Sequence, residues 1–436
     1  MKRKNLLIVV CIGLIILLNF LLYYKVLSFG FVFDDFCLID KGIRFQAFFQ
    51  THIENIKLYR PLANITHSIT YDLFKLNAFV FHALNLLIHI MNALLVFLIS
   101  RKILKSNIPS LISAVAFSTF TYNFHHVAYI AELNDTLSAF LLLLSTMLFI
   151  KYLDKNNFIF YICSLFTFIL ALLTRETVIF FPFLLILLYF FLRKRTETIF
   201  ELIKRTYKYL TPFFLISLVY IILRLIFFHG LGGYNLSVGG SILFKLKYWF
   251  AHIFSNYVMT FVPILGHKQL SIAQLIIYLL LTLIVLFWIL KKTYDNKEYF
   301  HQMLFGFTYI LIAILPLFQN TCVRYFYLPS VGFAILLGIP FHKKLRKIWI
   351  ILLIIFLITM NFIGNYISQD FYSPDDCKIL HDTKEIINLC VIQQENMDEW
   401  RKTISVKGCT TFANSTILRD LRGFMQNLVY QEHVIP

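Results

Sequence analysis

Residues 5–28 read NLLIVVCIGLIILLNFLLYYKVLS, an apolar run introduced by Met1-Lys2-Arg3-Lys4. A helix rises about 1.5 Å per residue, so about 20 such residues cross the hydrocarbon core of a bilayer. The run is too long for a signal-peptide core and offers no small-residue cleavage site, so it reads as an uncleaved first span. Working outward, runs of the same character recur near 78–100, 108–124, 134–153, 157–174, 177–192, 209–228, 271–290, 301–318, 329–342 and 348–366. Composition agrees with this pattern. Hydrophobic residues make up 59% of the chain and charged residues 14%, whereas a soluble surface needs about a quarter charged. The predicted fold class is all-α, a polytopic transmembrane helical bundle of about eleven spans.

Three tracts depart from that pattern. Residues 243–264 are apolar but interrupted by Lys245, Lys247, Trp249, His252 and Asn256, which predicts an interfacial or re-entrant helix. In the loop 29–77, Ile43, Phe45, Phe48, Phe49, Ile53 and Ile56 fall near helical spacing and predict an amphipathic helix along the membrane surface. Residues 367–436 are ordinary soluble sequence, a small helical C-terminal region behind a transmembrane domain of residues 1–366. Cys377, Cys390 and Cys409 lie in that tail, where one disulfide could form and the pairing stays open.

The formal net charge of +17 sits in short basic runs between apolar segments. That is the signature of cytoplasmic loops and argues against a nucleic-acid partner. An inside N-terminus places Arg101, Lys102 and Lys105 inside, followed by Lys151 and Lys155, Arg193-Lys194-Arg195, Lys291-Lys292, and Lys343-Lys344 with Arg346-Lys347. The loop 29–77, the short links after every second span and the tail then face outward, as in a multi-pass protein of a bacterial inner membrane or of the endoplasmic reticulum.

A charge at bilayer depth is costly, so the charges beside outward span ends need a reason. Asp34-Asp35 follows span one. Adjacent carboxylates repel, which primes one as a proton acceptor, although a hydrated pair at a helix end has the same sequence. Arg60-Pro61 lies where the first loop returns. Its planar fork suits a lipid phosphate, and snorkelling to headgroups is the plainer use. Glu132 and Asp135 stand three apart after His125-His126. They could hold a divalent cation with His126, or simply cap span four. Arg175-Glu176 links spans five and six, Arg324-Tyr325 precedes span ten, and Arg224 lies inside span seven. All five outer constellations share one side, which points to a catalytic surface at headgroup depth.

These stretches resemble the multi-span glycosyltransferases of the GT-C type, especially the protein O-mannosyltransferases, including those with tetratricopeptide tails, and their bacterial relatives. The likeness rests on Phe33-Asp34-Asp35, YRPLANITHSITYDLF at 59–74, FHALNLLIHIMNALLVF at 81–97, TRET at 174–177 and RYFYLPSVGF at 324–333, in the family's order. The stretch HHVAYIAELND at 125–135 departs from the family's pattern, which leaves Asp135 the firmer match beside Glu132, and the repeat tail is missing. The resemblance implies a polyprenyl- or dolichyl-phosphate monosaccharide as sugar donor and a protein or glycan hydroxyl as acceptor, at the extracytoplasmic face of the lipid bilayer. It also implies inversion, with Asp34 or Asp35 as general base and Arg60, Arg175 and Arg324 as candidates for the phosphate charge. An O-antigen polymerase or ligase, or a lipid-linked saccharide transporter or flippase, is the competing class. Ionisable groups near the midplane and internal repeats would mark a transporter, whereas here the charges cluster at one surface and no repeat is visible.

Overall fold

The computed structural model describes residues 2–31, 35, 59–75, 77–192, 199–228, 242–261, 297–317 and 325–341. The loop-one amphipathic helix, Asp34, Arg324, the candidate spans 271–290 and 348–366 and the tail lie outside the described residues.

All regular structure among the described residues is helical. Helix α1 (Lys2–Tyr23) runs on into a 3-10 turn, Tyr24–Ser28. Then come α2 (Pro61–Phe74), α3 (Ala78–Leu104), α4 (Asn107–Ser118) and α5 (Thr121–Ala128). Next are α6 (Leu133–Lys155), α7 (Phe158–Leu172) and α8 (Phe181–Leu192), followed by α9 (Ile199–Phe228) and α10 (Ile242–Phe261). The last two are α11 (Lys297–Ile314) and α12 (Pro329–Gly338).

Five described helices are long and apolar enough to cross a membrane: Leu6–Ser28, Ala78–Leu104, Ile130–Lys155, Tyr207–Phe227 and Glu298–Leu317. Asn107–Ser118, Phe158–Leu172, Glu176–Leu192 and Pro329–Phe341 are apolar but shorter. Each expected span within the described residues therefore corresponds to a helix. The run 108–124 differs in form, because it breaks at Thr119-Phe120 and re-forms as the separate helix α5. Thr119 turns its hydroxyl back onto Val115 O at 2.9 Å, and Asn123 reaches back to Phe117 O at 2.8 Å, so the break is hydrogen-bonded.

Turn chemistry sets the reversals. Helix α3 ends at Lys105, in the left-handed region with φ 53°, and Arg101 and Lys102 occupy its last turn, where cations oppose the exposed carbonyls. Helix α6 ends the same way at Asn156 (φ 51°), and Asn157 then caps α7 by accepting the Ile159 N–H at 3.0 Å. At this end of the bundle Lys102 pairs with Asp154, and Lys105 pairs with Glu298 at 2.9 Å.

Inside lipid, helices associate through close packing and interhelical hydrogen bonds, because apolar burial no longer discriminates between neighbours. Ser145 of α6 and Ser164 of α7 exchange such bonds, with hydroxyl oxygens 2.9 Å apart and Ser145 also donating to Ser164 O at 2.7 Å. Asn19 of α1 donates to Ser118 Oγ at 2.9 Å, and Tyr23 donates to Ser118 O at 2.6 Å. Helix α12 wedges between α4 and α11 on glycines. A Cβ on Gly332 would come 2.9 Å from Gly306 O, and one on Gly338 would come 2.6 Å from Pro109 O. Helix α10 is buried mainly at its C-terminal part, where Asn256 donates to Leu317 O at 3.0 Å, while Leu246, Phe250 and Phe254 stay exposed.

Candidate active site

The end of the bundle opposite the Lys102–Asp154 pair gathers nearly every candidate that the described residues include. It begins with the chain leaving α1. Phe29 meets the His82 ring edge-on with centroids 6.2 Å apart, Phe31 packs on Phe81 at 5.5 Å, and Gly30 O lies 3.3 Å from His82 Nε2. Beyond these contacts, Asp35 lies at the start of α6. There Asp35, fully buried, accepts the Ala131 N–H at 2.7 Å. Ala131 belongs to the 3-10 turn Ile130–Glu132 that leads into α6, where unpaired N–H groups favour a carboxylate. That bond anchors Asp35 to the fold.

Arg60 stands at the cap position of α2, ahead of Pro61. The Leu62 N–H donates to Leu173 O at 3.1 Å, which ties the start of α2 to the end of α7. That single backbone bond sets Arg60 opposite Glu176. Its Nε donates to Glu176 Oε2 at 3.1 Å and its Nη2 to Oε1 at 2.7 Å, a two-pronged pair. Burial on its own pushes the Glu176 carboxyl up. Arg60, with Arg175 and Arg224 behind it, reverses that effect and holds the group well below the usual carboxylate range.

Arg175 points the other way. Its Nη1 lies on the Asp135 carboxylate, and its guanidinium is centred 5.6 Å from the Tyr325 ring. Only 6% of the residue is exposed, and its Nε is buried without a hydrogen-bond partner. Burial and the neighbouring Arg60 draw the Arg175 pKa down, against the opposing pull of Glu132, Glu176 and Tyr325.

His126, Glu132 and Asp135 are all buried, and their ligand atoms lie within 4.8 Å of one another. Glu132 occupies the cap position of α6 but makes no side-chain capping bond, so capping does not account for it. His126 Nδ1 lies 2.9 Å from Tyr122 O, which requires a proton on Nδ1. In the neutral ring the lone pair is then on Nε2, 3.9 Å from Glu132 Oε2. A backbone carbonyl on the far nitrogen is the usual second partner of a metal-bound imidazole. One imidazole and two carboxylates fit a divalent ion such as zinc or manganese, with Arg175 as the competing partner of Asp135. His125 turns aside to the Tyr129 ring, centroids 5.4 Å apart.

Sequence reasoning passed over Tyr327. Its hydroxyl lies 2.7 Å from His89 Nδ1 and accepts from Asn92 Nδ2 at 3.0 Å, and its ring lies 4.8 Å from that of His126. The signal was legible as the spacing of His82, Asn85, His89 and Asn92 along one side of α3, all four of them buried. A polar stripe inside a span needs polar partners. Arg224, in the C-terminal part of α9, is buried and donates to Tyr220 Oη at 2.9 Å.

Helices of membrane-spanning length that gather paired arginines and carboxylates at one end define a multi-pass membrane protein. The comparisons sharpen that class. Residues 60–227, less than half of the chain, match the family of dolichyl-phosphate-mannose-protein mannosyltransferases. The fold is similar to that of ArnT from Cupriavidus metallidurans, solved bound to undecaprenyl phosphate. The TM-score is 0.50 at 12% sequence identity, covering 96% of this chain and 77% of that one. No curated protein matches the chain in sequence. Together these likenesses place the chain among proteins of the GT-C fold and indicate a glycosyltransferase.

Proposed function

We propose that the protein transfers a monosaccharide from a polyprenyl- or dolichyl-phosphate carrier to a hydroxyl acceptor at the extracytoplasmic face, inverting the anomeric centre. The observation that carries this reading is the convergence of Arg60–Glu176 and Arg175–Asp135, from three separate chain segments, at one end of the spans. The positive-inside pattern assigns that end to the outside. Asp34 is the general base in this reading. Asp35 is committed to Ala131 N–H and fully buried, which favours its neighbour as the group that meets the acceptor.

Asp34 takes the proton of the acceptor hydroxyl as the oxygen attacks the anomeric carbon. The bond from that carbon to the phosphate oxygen breaks, and the electron pair leaves with the phosphate. Growing charge on the phosphate is met by guanidinium groups drawn from Arg60, Arg175 and Arg324. General-base help contributes about 10²–10⁴-fold, and holding sugar and phosphate in line supplies the remainder. A divalent cation held by His126, Glu132 and Asp135 would add a fixed positive charge beside the leaving group. The bonded, buried placement of α10 below Asn256 and its exposed first half suit a helix at the rim of a lipid entrance.

The decisive experiment reconstitutes the purified protein with a polyprenyl-phosphate sugar and follows release of the polyprenyl phosphate. Release that depends on an added acceptor supports transfer. Movement of intact donor across the membrane without release would instead establish a flippase.

A further inference from the structure

Glu176 has more positive neighbours than one ion pair needs. Arg60 engages both of its oxygens, and the positive charges of Arg175 and Arg224 also act on the same carboxylate. Arg224 comes from within a span, where an ionised side chain persists only with a partner that justifies it. The arginines are fixed by further contacts. Arg175 rests on Asp135 and Tyr325, and Arg224 on the hydroxyl of Tyr220. Glu176 is the looser member, its side chain 22% exposed against 14% for Arg60 and 7% for Arg175. A carboxylate and a phosphoryl group present the same two-oxygen edge to a guanidinium fork.

We propose that Glu176 is a displaceable counter-ion, seated on the fork of Arg60 until the phosphoryl group of a lipid donor takes its place. The proposal rests on the function argued above and assigns that site a gate. The exchange leaves the Arg60 guanidinium paired with an anion before and after binding, so its fork is not left without a counter-charge. It also makes entry selective. An anion that cannot take both prongs of Arg60 does not repay the loss of the carboxylate, which excludes most single-contact headgroups. Arg224 becomes the phosphate contact that approaches from the lipid side.

The test measures binding of a polyprenyl phosphate to the full-length protein in nanodiscs of zwitterionic lipid, for wild type, Glu176→Gln, Arg60→Ala, Arg224→Ala and Arg60→Ala/Glu176→Gln. Glu176→Gln keeps the shape of the side chain and removes its charge, so it is expected to bind about fivefold or more tighter. Arg224→Ala is expected to bind more weakly, and the Glu176→Gln gain should shrink once Arg60 is absent. Weaker binding by Glu176→Gln overturns the gate, because Glu176 would then be a fixed brace for Arg60. Wild-type binding by Arg60→Ala and Arg224→Ala would overturn the phosphate site itself, a separate failure. Inorganic phosphate run in parallel should show the same relative gain at lower affinity. A gain confined to the lipid would place the effect on the tail and refute the seat. If Glu176→Gln does not fold, Glu176→Asp loosens the same fork and carries the same expectation and the same refutation.

Discussion

Arg60 and Glu176 stand 116 positions apart in the chain and close a two-pronged ion pair, Nε to Oε2 at 3.1 Å and Nη2 to Oε1 at 2.7 Å. The pair joins the return of the first loop to the link between α7 and α8. It therefore couples the segment that follows the paired aspartates to the arginines of the site.

The two aspartates are expected to separate on mutation. Asp34→Asn should abolish transfer, with expression and lipid-phosphate binding near wild type. Asp35→Asn should lose less, because an amide oxygen can still accept the Ala131 N–H now held at 2.7 Å. Turnover with both variants in one nanodisc preparation decides it. Near wild-type turnover by Asp34→Asn would move the base to Asp35 or Asp135.

Arg60→Lys should already impair the enzyme, and Arg60→Ala should impair it more, with about a tenfold or greater loss in apparent donor affinity. Lysine keeps the charge but cannot fill both positions of the fork. Initial rates against lipid-phosphate-sugar concentration give the answer. Equality of Lys and wild type throughout would reduce Arg60 to a surface anchor and make Arg324 the better phosphate contact.

Chelation should lower activity and melting temperature together if His126, Glu132 and Asp135 hold a cation, and added zinc or manganese should restore both. His126→Ala should make the melting temperature insensitive to chelator. A wild-type protein indifferent to chelator would leave Arg175 as the sole counter-charge of that carboxylate pair.

The pH dependence of the Arg60–Glu176 pair has a fixed sign. The folded Glu176 value is depressed, so its contribution is fully present above the unfolded carboxylate pKa of about 4.3 and is lost as pH falls through the folded value. The difference in melting temperature between wild type and Glu176→Gln should stay level from about pH 8 to 5 and shrink only below that. A difference that already fades between pH 7 and 6 would contradict the ion pair.

Gly332→Val should destabilise the bundle by several degrees, because even a Cβ would sit 2.9 Å from Gly306 O and 2.7 Å from Ile310 Cγ1. A thermal melt in detergent checks it. An unchanged melting temperature would mean that α11 and α12 can part without loss.

The helical class and the positions of the described spans were legible in the sequence, because hydrophobic length is a local property and a bilayer accepts little else. So were Asp35, Arg60, Glu132, Asp135, Arg175, Glu176 and Tyr325 as residues needing an explanation. Which partner each would take was not legible. Glu132 and Asp135 were read together with His126, and their ligand atoms do lie within 4.8 Å of one another, but the Arg175 that holds Asp135, forty positions on, was not foreseen. Arg60 looked ready for a phosphate, yet its fork is filled by Glu176. Tyr327 stood within the 324–333 motif but carried no mark of its own there. Hydropathy decides which segments enter the membrane. It leaves rotation about each helix axis undetermined, and those rotations, set by glycine contacts and interhelical hydrogen bonds, decide which charges meet.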